Sequence, residues 1–180
     1  MIEIIQTSLP YGAVISHVVL VILVAAVIFR KSWGKDIFSF VGRYSIPLGL
    51  LASVSAILGS LFYSELVGYE PCVLCWWQRL FIYPQAVLFG VAVWAKNKSV
   101  FLYSVPLSIL GGIVALYHSY VYMGGESILP CTALGGACSK VYVMEFGYIT
   151  IPSLSLTIIV YLLVLAWINH LYRKNENHHS

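Results

Sequence analysis

Charged residues are scarce in this sequence. Asp, Glu, Lys and Arg together make up 9% of its 180 residues, against about 25% in a typical soluble domain. Hydrophobic residues make up 60%, and the mean hydropathy is +0.88. This composition excludes an ordinary soluble domain and indicates a membrane protein. The net charge of +3 is also too small to suggest nucleic-acid binding.

The chain also lacks obvious repeats, low-complexity tracts and any polar segment long enough to form a soluble domain. Instead, apolar runs of about 20 residues recur, which is the length that a helix needs to cross a hydrocarbon core of about 30 Å. The one long connection between these runs extends from Gly124 to Thr150. We predict an all-α, polytopic membrane fold with five spans: Tyr11–Phe29, Tyr44–Val67, Trp76–Ala95, Val100–Met123 and Ile151–His170.

Basic residues are rare on one side of this arrangement. If the N-terminus is outside and the C-terminus is cytoplasmic, eight of the ten Lys and Arg residues are cytoplasmic: Arg30, Lys31, Lys35, Arg43, Lys96, Lys98, Arg173 and Lys174. Because Lys and Arg beside short loops are retained in the cytoplasm, the asymmetry predicts this N-out, C-in orientation. No Lys or Arg precedes the first span, which is unlike a signal peptide, so we interpret that span as a retained helix.

Cysteine is rare as well, with four residues, and the predicted topology places Cys72, Cys75, Cys131 and Cys138 at or beyond the outer face. Two structural disulfides or a zinc site are alternatives to redox chemistry. However, a disulfide between Cys72 and Cys75 would close a very short ring and would be a poor structural staple. C-x-x-C is instead the spacing of thiol–disulfide oxidoreductases. The separation of Cys131 from Cys138 is longer than the usual spacer between zinc ligands.

The C-x-x-C motif is predicted to lie at the outer end of the third helix, because Pro71 precedes it and an apolar run begins at Trp76. The helix dipole and free amide groups at this end favour a thiolate. Arg79 follows Cys75 by four residues and Cys72 by seven, which places all three side chains on one helix face. Its guanidinium is a candidate to stabilise a thiolate and to bind a carbonyl oxygen at the membrane edge. The alternative is an arginine that snorkels to the lipid headgroups.

The stretch from Glu70 to Arg79, EPCVLCWWQR, resembles the DsbB family of disulfide bond formation proteins, including the BdbC-type members of Gram-positive bacteria. The resemblance continues to the GYITIP segment that leads into the last span. It implies a four-helix bundle over residues 44–171, with a cytoplasmic tail after it. Residues 1–43 would form an additional N-terminal transmembrane helix and a cytoplasmic loop, which have no counterpart in the family's usual layout.

The family's mechanism implies a membrane thiol oxidase in a bacterial cell membrane, with all four cysteines at the extracytoplasmic face. The enzyme would reoxidise a DsbA-like thioredoxin-fold partner and pass the electrons to a quinone, either ubiquinone or menaquinone. Cys131 would form the mixed disulfide with the partner, and Cys138 would exchange with Cys72. Cys75 would then face the quinone, with Arg79 positioning the ring.

His118 is a second candidate for quinone binding, because it lies in the outer half of the predicted fourth span. A histidine inside a membrane bundle can hydrogen-bond a carbonyl group or transfer a proton. The alternative is a hydrogen bond between helices, and His17 is predicted to have such a structural or interfacial role.

The long loop is predicted to be mobile around Cys131, because it contains Gly-Gly twice and a proline. Further along, the mixture of apolar and polar residues between Lys140 and Tyr148 predicts a short helix lying on the membrane surface. Such a helix would hold the loop near the quinone end of the bundle.

Two other functions fit parts of this pattern. A vitamin K epoxide reductase-like protein also couples a membrane C-x-x-C to a quinone-type substrate, but its loop cysteines precede the C-x-x-C, whereas here they follow it. A non-enzymatic membrane scaffold with two inert disulfides would leave the placement of Arg79 without a role.

Overall fold

A computed structural model of the chain describes residues 2–128, 138 and 140–179, with side chains described for 7–128, 138 and 140–176. The described part is helical throughout apart from its turns and one isolated β-bridge, which confirms the predicted all-α class. The elements are α1 (Ile2–Ile28), α2 (Lys35–Leu61), a π-helical turn (Phe62–Leu66), α3 (Val73–Trp94), α4 (Phe101–Tyr122) and α5 (Ile151–His179).

Four helices in the described part of the chain are long and apolar enough to cross a membrane: Thr7–Ile28, Lys35–Leu66, Phe101–Tyr122 and Ile151–Glu176. Helix α3 coincides with the remaining predicted span and has 22 residues, or about 33 Å at 1.5 Å per residue. It is not among these four helices because Gln78, Arg79 and Gln85 lower its mean hydropathy. The crossing of α3 and the N-out orientation therefore stay predictions.

Helices α2, α3, α4 and α5 pack together as a bundle, and α1 packs on its outside against α2 and α5. The largest core cluster lies at the end of α3 that is far from the C-x-x-C motif, around the fully buried Phe89. Gly49 of α2 allows this packing, since a Cβ atom there would lie 2.6 Å from the Phe89 ring. The bundle is therefore closed by apolar packing at one end and leaves room for polar groups at the other.

Buried hydrogen bonds fix how the bundle helices pair. Gln85 of α3 donates from Nε2 to Ser108 Oγ of α4 at 2.8 Å, and its Oε1 accepts from Ser104 Oγ at 2.6 Å. Asn169 of α5 donates to Ser45 Oγ of α2 at 2.8 Å. Hydrogen bonds of this kind between membrane helices contribute about 0.6 kcal/mol each on average, and their directionality specifies one helix register.

Polar contacts also attach α1 to α5. The Tyr161 hydroxyl donates to the carbonyl oxygen of Ser16 and lies 3.2 Å from Ser16 Oγ. His17 Nε2 lies 2.9 Å from Thr157 Oγ1, whose own proton is donated to the Ser153 carbonyl oxygen at 2.8 Å. Because that proton is already used, His17 must donate to Thr157 from Nε2. The predicted structural role of His17 therefore has a defined partner.

The predicted surface helix between Lys140 and Tyr148 is wrong. These residues form a turn that is closed by an antiparallel bridge between Glu145 and Ile149, with Gly147 at φ +76°. The Tyr122 hydroxyl accepts hydrogen bonds from the backbone of Tyr142 and Val143 and donates to the Val143 carbonyl oxygen. These bonds to a side chain of α4 replace the hydrogen bonds that a helix would have made.

Candidate redox site

Cys72 caps the N-terminus of α3, as the sequence predicts for this motif. Its backbone is extended (φ −74°, ψ 172°), and its sulfur accepts a hydrogen bond from the backbone N–H of Cys75 at 3.4 Å. A thiolate at this position is stabilised by the free amide groups and by the positive end of the helix dipole. The local fold thus prepares Cys72 for thiolate chemistry.

The two sulfur atoms of Cys72 and Cys75 lie 3.2 Å apart, and both thiols are free. His118 of α4 is buried, and its Nε2 lies 3.6 Å from the Cys72 sulfur. The pKa of the Cys72 thiol is lowered from 9.0 to about 4, chiefly by the hydrogen bond from the Cys75 thiol. Burial opposes this change, whereas the hydrogen bond and the charge of His118 add to it. The Cys75 thiol and His118 therefore favour the thiolate form of Cys72 when the pair is reduced.

The structure brings one of the two loop cysteines to this pair. Cys138 is buried and belongs to the same packed cluster as Cys72, Leu74 and Val121, and it is disulfide-bonded. Cys131 lies outside the described residues, so its predicted roles and the predicted mobility around it stay predictions. Cys138 and Cys72 thus lie in one packed cluster, and the predicted exchange between them stays a prediction.

Stacked tyrosine rings connect the segments that carry these cysteines. Tyr69, just before the motif, stacks on Tyr142 with ring centroids 4.5 Å apart, and it also stacks on Tyr63 at 5.9 Å. Lys140 lies over the Tyr142 ring at 4.7 Å. The stack therefore ties the approach to Cys72 to the chain that follows Cys138. Sequence reasoning missed it, because the three tyrosines come from separate segments.

Arg79 points to α2 and is fixed there by several contacts. Its Nε donates to Ser60 Oγ at 3.0 Å and its Nη2 to the Ser60 carbonyl oxygen at 3.4 Å. The guanidinium also lies 5.0 Å from the centre of the Trp76 ring, and the Tyr83 hydroxyl donates to the same Ser60 Oγ at 3.1 Å. A planar cation held in this way keeps further N–H groups available for a ligand.

Gln78 is a site residue that the sequence reasoning did not single out. Its side chain is 3% exposed, and its Nε2 has no hydrogen-bond partner among the described residues. Leaving a buried donor unpaired costs about 1–3 kcal/mol, so such a group at a cavity wall points to a ligand acceptor. The neighbouring Arg79 was a signal for this site, but nothing in the sequence shows that the Gln78 amide is unpaired.

These groups surround one cavity of about 340 Å³, which is within the range of roughly 300–1,000 Å³ that is usual for small-molecule sites. Cys72, Cys75, Cys138 and His118 lie at its boundary, together with Arg79 and Gln78. Further lining residues come from α1, α2 and α5, from the π-helical turn, and from the segments just before the motif and just after Cys138, which bring Glu70 and Lys140 to the boundary; most of the wall surface is apolar. The cavity therefore suits an apolar molecule that carries a few hydrogen-bond acceptors.

The same geometry raises the question of a metal ion. The ligand atoms of Cys72, Cys75 and His118 lie within 4.8 Å of one another. A closed structural zinc site has four ligands, and the described residues supply three here. The described residues therefore provide an incomplete ligand set for a closed structural zinc site.

The chain is similar in sequence to disulfide bond formation proteins. The sequence model of the family described as disulfide bond formation protein DsbB matches residues 42–169. A probable disulfide formation protein C from Bacillus cereus is 38% identical over 131 residues, which cover 70% of this chain and 91% of that protein. The disulfide bond formation protein C of Bacillus subtilis is 34% identical over 116 residues, which cover 63% of this chain and 83% of that protein.

The similarity extends beyond Bacillus. A probable disulfide formation protein from Metapseudomonas resinovorans is 35% identical over 117 residues, which cover 64% of this chain and 81% of that protein. No solved structure matches the chain at a significant level. The family match begins at residue 42, and α1 ends before that point.

Proposed function

Because this chain belongs to the DsbB family of disulfide bond formation proteins and is a multi-pass membrane thiol oxidase, we propose that its electron acceptor is a quinone. We further propose that its electron donor is an extracytoplasmic DsbA-like protein with a thioredoxin fold. One observation carries the proposal: the Cys72–Cys75 pair borders an apolar cavity that also contains the Arg79 guanidinium and the unpaired Gln78 amide.

The residues of the cavity fit a quinone. A quinone ring is apolar on its faces and carries carbonyl oxygens that accept hydrogen bonds. Arg79 retains N–H groups beyond those bound to Ser60, and Gln78 Nε2 is a second donor. Ubiquinone and menaquinone both present carbonyl groups, so these donors are compatible with either. In the predicted N-out orientation the cavity would lie at the extracytoplasmic end of the bundle.

The relay balances as two electrons and two protons for each disulfide formed. The Cys131–Cys138 disulfide would accept two electrons from the partner's dithiol, with Cys131 forming the mixed disulfide. Cys138 would then attack Cys72, which would open the Cys72–Cys75 disulfide and release the Cys75 thiolate. The second thiol of the partner would resolve the mixed disulfide and release Cys131. Attack of Cys131 on Cys138 would then break the Cys138–Cys72 bond, re-form the Cys131–Cys138 disulfide and leave Cys72 and Cys75 reduced. When bound, the quinone supplies the oxidising power by accepting two electrons and two protons, which re-forms the Cys72–Cys75 disulfide.

His118 would act in two steps of this relay. While Cys72 is a thiolate, the Nε2–H group of His118 donates a hydrogen bond to it and stabilises it as the leaving group of its disulfide with Cys138. When Cys72 is oxidised, the same ring nitrogen is released from the thiolate and lies at the cavity boundary, where it can transfer a proton. Direct contact of His118 with the quinone, as the sequence suggests, is a separate proposal.

A single assay tests the proposed function. The purified protein should oxidise a reduced thioredoxin-fold partner over many turnovers only when a quinone is added, and it should form one quinol for each disulfide. Without any quinone, oxidation of more partner than the protein's own two disulfides can oxidise would contradict the proposed acceptor. Equal activity before and after dialysis against a chelator would exclude a required metal at Cys72, Cys75 and His118, and loss of activity would indicate one.

The same assay separates a thiol oxidase from an inert scaffold, and the sequence separates the remaining alternative. An inert scaffold would leave the partner reduced under all conditions. A vitamin K epoxide reductase-like protein would also reduce a quinone, but the order of the cysteines along this chain and the family match favour the DsbB mechanism.

Replacing Arg79 by Lys should raise the KM for quinone about ten- to a hundredfold, and Arg79→Ala should have at least as large an effect. One ammonium group cannot reproduce the bonds to Ser60, the stacking on Trp76 and a ligand contact together. A hydrogen bond to a charged group is worth about 1.5–3 kcal/mol, which corresponds to this range. Steady-state kinetics against quinone concentration, at saturating reduced partner, measures the effect.

Lys98→Ala is the matched control for Arg79, because Lys98 is an exposed cation at the opposite end of α3. Its quinone KM should equal that of the wild type. A normal KM in Arg79→Lys would favour the snorkelling role that the sequence left open.

His118→Phe should raise the pKa of the Cys72 thiol by roughly one to three units, since the variant loses a hydrogen bond and a positive charge at the sulfur. Because the thiolate is the form that is present above the pKa, the pH at which reduced Cys72 begins to react would rise. The rate of alkylation of the reduced protein, measured against pH, reports this value. His170→Phe changes an exposed histidine far from the motif and should leave the profile unchanged.

A further inference from the structure

We infer that helix α1 forms one wall of the quinone site, and that the open space beside Gly12 receives part of the quinone. This inference rests on the proposed function and adds helix α1 to the proposed site. Four residues of α1, Leu9, Gly12, Ala13 and Ser16, line the cavity that Arg79 and Gln78 also line. The family match begins at residue 42, so α1 is an addition to the part of the chain that defines the family.

The spacing of these residues shows that one face of α1 is turned towards the cavity. Positions 9, 12, 13 and 16 follow each other at intervals of three, one and three, which is the pattern of a single helix face. Ala13 on this face is 7% exposed, whereas Tyr11, Ile15 and Val18 on other faces are between 54% and 65% exposed. The cavity face of α1 is therefore distinct from the face that meets lipid.

Polar bonds hold this face in place. Ser16 is bound to Tyr161, and His17 donates to Thr157, so two consecutive residues of α1 are attached to α5. Ser16 and Thr157 themselves line the cavity. The bonds thus lie at the wall itself, and they fix the distance between α1 and the other walls where a ligand would bind.

Gly12 leaves space on the ligand side of this wall. A Cβ atom at Gly12 would meet no heavy atom within 4 Å among the atoms described. The backbone of α1 is helical on both sides of Gly12, so glycine is not needed there for its backbone conformation. Since the position lines the cavity, a large side chain at residue 12 would occupy ligand space without first displacing protein atoms.

Gly12→Phe tests the inference, with Ile15→Phe as the matched control on the lipid face of the same helix. Both variants carry the same new side chain within one turn of helix. Binding is measured by titrating a short-chain benzoquinone and following the quenching of tryptophan fluorescence, since the Trp76 ring lies against the Arg79 guanidinium. We expect the Kd to rise about tenfold or more in Gly12→Phe, and to stay within about twofold of the wild type in Ile15→Phe.

The result distinguishes this inference from the proposed function. If the wild type binds the benzoquinone and Gly12→Phe binds it as well as Ile15→Phe does, α1 is not a wall of the site, although the quinone function stands. If the wild type does not bind the benzoquinone, both are overturned. A second measurement needs no variant: a photoreactive azidobenzoquinone should label residues 9–16 in the wild-type protein, with labelling reduced by excess benzoquinone. Labels on α2 and α3 with none on α1 would overturn the inference.

Discussion

Replacing either Cys72 or Cys75 by serine is expected to abolish quinone-dependent oxidation of the partner. Each substitution removes one of the two sulfur atoms that must form a disulfide when electrons leave for the quinone, and the free pair at the cavity has no other thiol to replace it among the described residues. Quinol formation at saturating partner and saturating quinone should fall to the rate without enzyme. A turnover near that of the wild type in either variant would exclude the proposed relay.

The fold should survive both substitutions, which makes the expected loss interpretable. Cys72 is the N-cap of α3, and serine is among the best N-cap residues. Cys75 lies in the first turn of α3 and is partly buried, where serine differs from cysteine by one atom. Thermal unfolding followed by circular dichroism provides the control, and a helical content like that of the wild type assigns the loss to chemistry.

The second large effect concerns which variant of the two loop cysteines traps a covalent complex with the partner. If Cys131 meets the partner and Cys138 resolves the mixed disulfide, Cys138→Ala should accumulate a stable complex between the partner and Cys131. Cys131→Ala should accumulate none. Non-reducing electrophoresis after mixing with the disulfide form of the partner, whose bond the Cys131 thiolate opens, shows the complex as a band that is lost on reduction. When the Cys138→Ala variant and the partner are mixed at equal concentrations, most of the partner should be in that band.

The position of Cys138 indicates which of the two variants should trap the complex. Cys138 is buried and belongs to the same packed cluster as Cys72 and Leu74, which favours exchange inside the protein over attack by a second protein. A complex that forms through Cys138 in the Cys131→Ala variant would reverse the two assignments while leaving the chemistry of the relay unchanged.

Much of the helical framework could be predicted from the sequence, because long apolar runs in a chain with little charge leave few choices. The predicted span Val100–Met123 differs from α4, Phe101–Tyr122, by one residue at each end. The placement of the C-x-x-C at the start of α3 followed equally directly from Pro71 and the apolar run after it. These are local features, and local sequence determines them.

The rotation of each helix about its own axis could not be predicted in the same way. A membrane helix that is apolar on all sides has no hydrophobic face to show which residues point inward. The sequence therefore placed Arg79 on the same face as the cysteines, but not against Ser60 of α2. The unpaired amide of Gln78 and the approach of α1 to the cavity depend on contacts between helices that are distant in sequence.

The turn after Cys138 shows a different limit. The periodicity between Lys140 and Tyr148 favoured a helix, but the hydroxyl of Tyr122 binds the backbone of this segment and Gly147 reverses the chain. A single buried hydroxyl that satisfies several backbone groups can override a weak periodic pattern, and its partner lies 20 residues away in the sequence. Sequence patterns within a short window contain no information about such a bond.

The hydrogen bonds of Gln85 with Ser104 and Ser108 have a consequence for how the protein responds to its lipid environment. Gln85 lies ten residues from Cys75 along α3, and Ser108 lies ten residues from His118 along α4. These hydrogen bonds are therefore about 15 Å along the helix from Cys75 on α3 and from His118 on α4. A bilayer that becomes thinner or thicker changes the tilt of membrane helices. We therefore expect these two hydrogen bonds to oppose sliding of α3 past α4, which would help to keep the contact between Cys72 and His118 in membranes of different thickness.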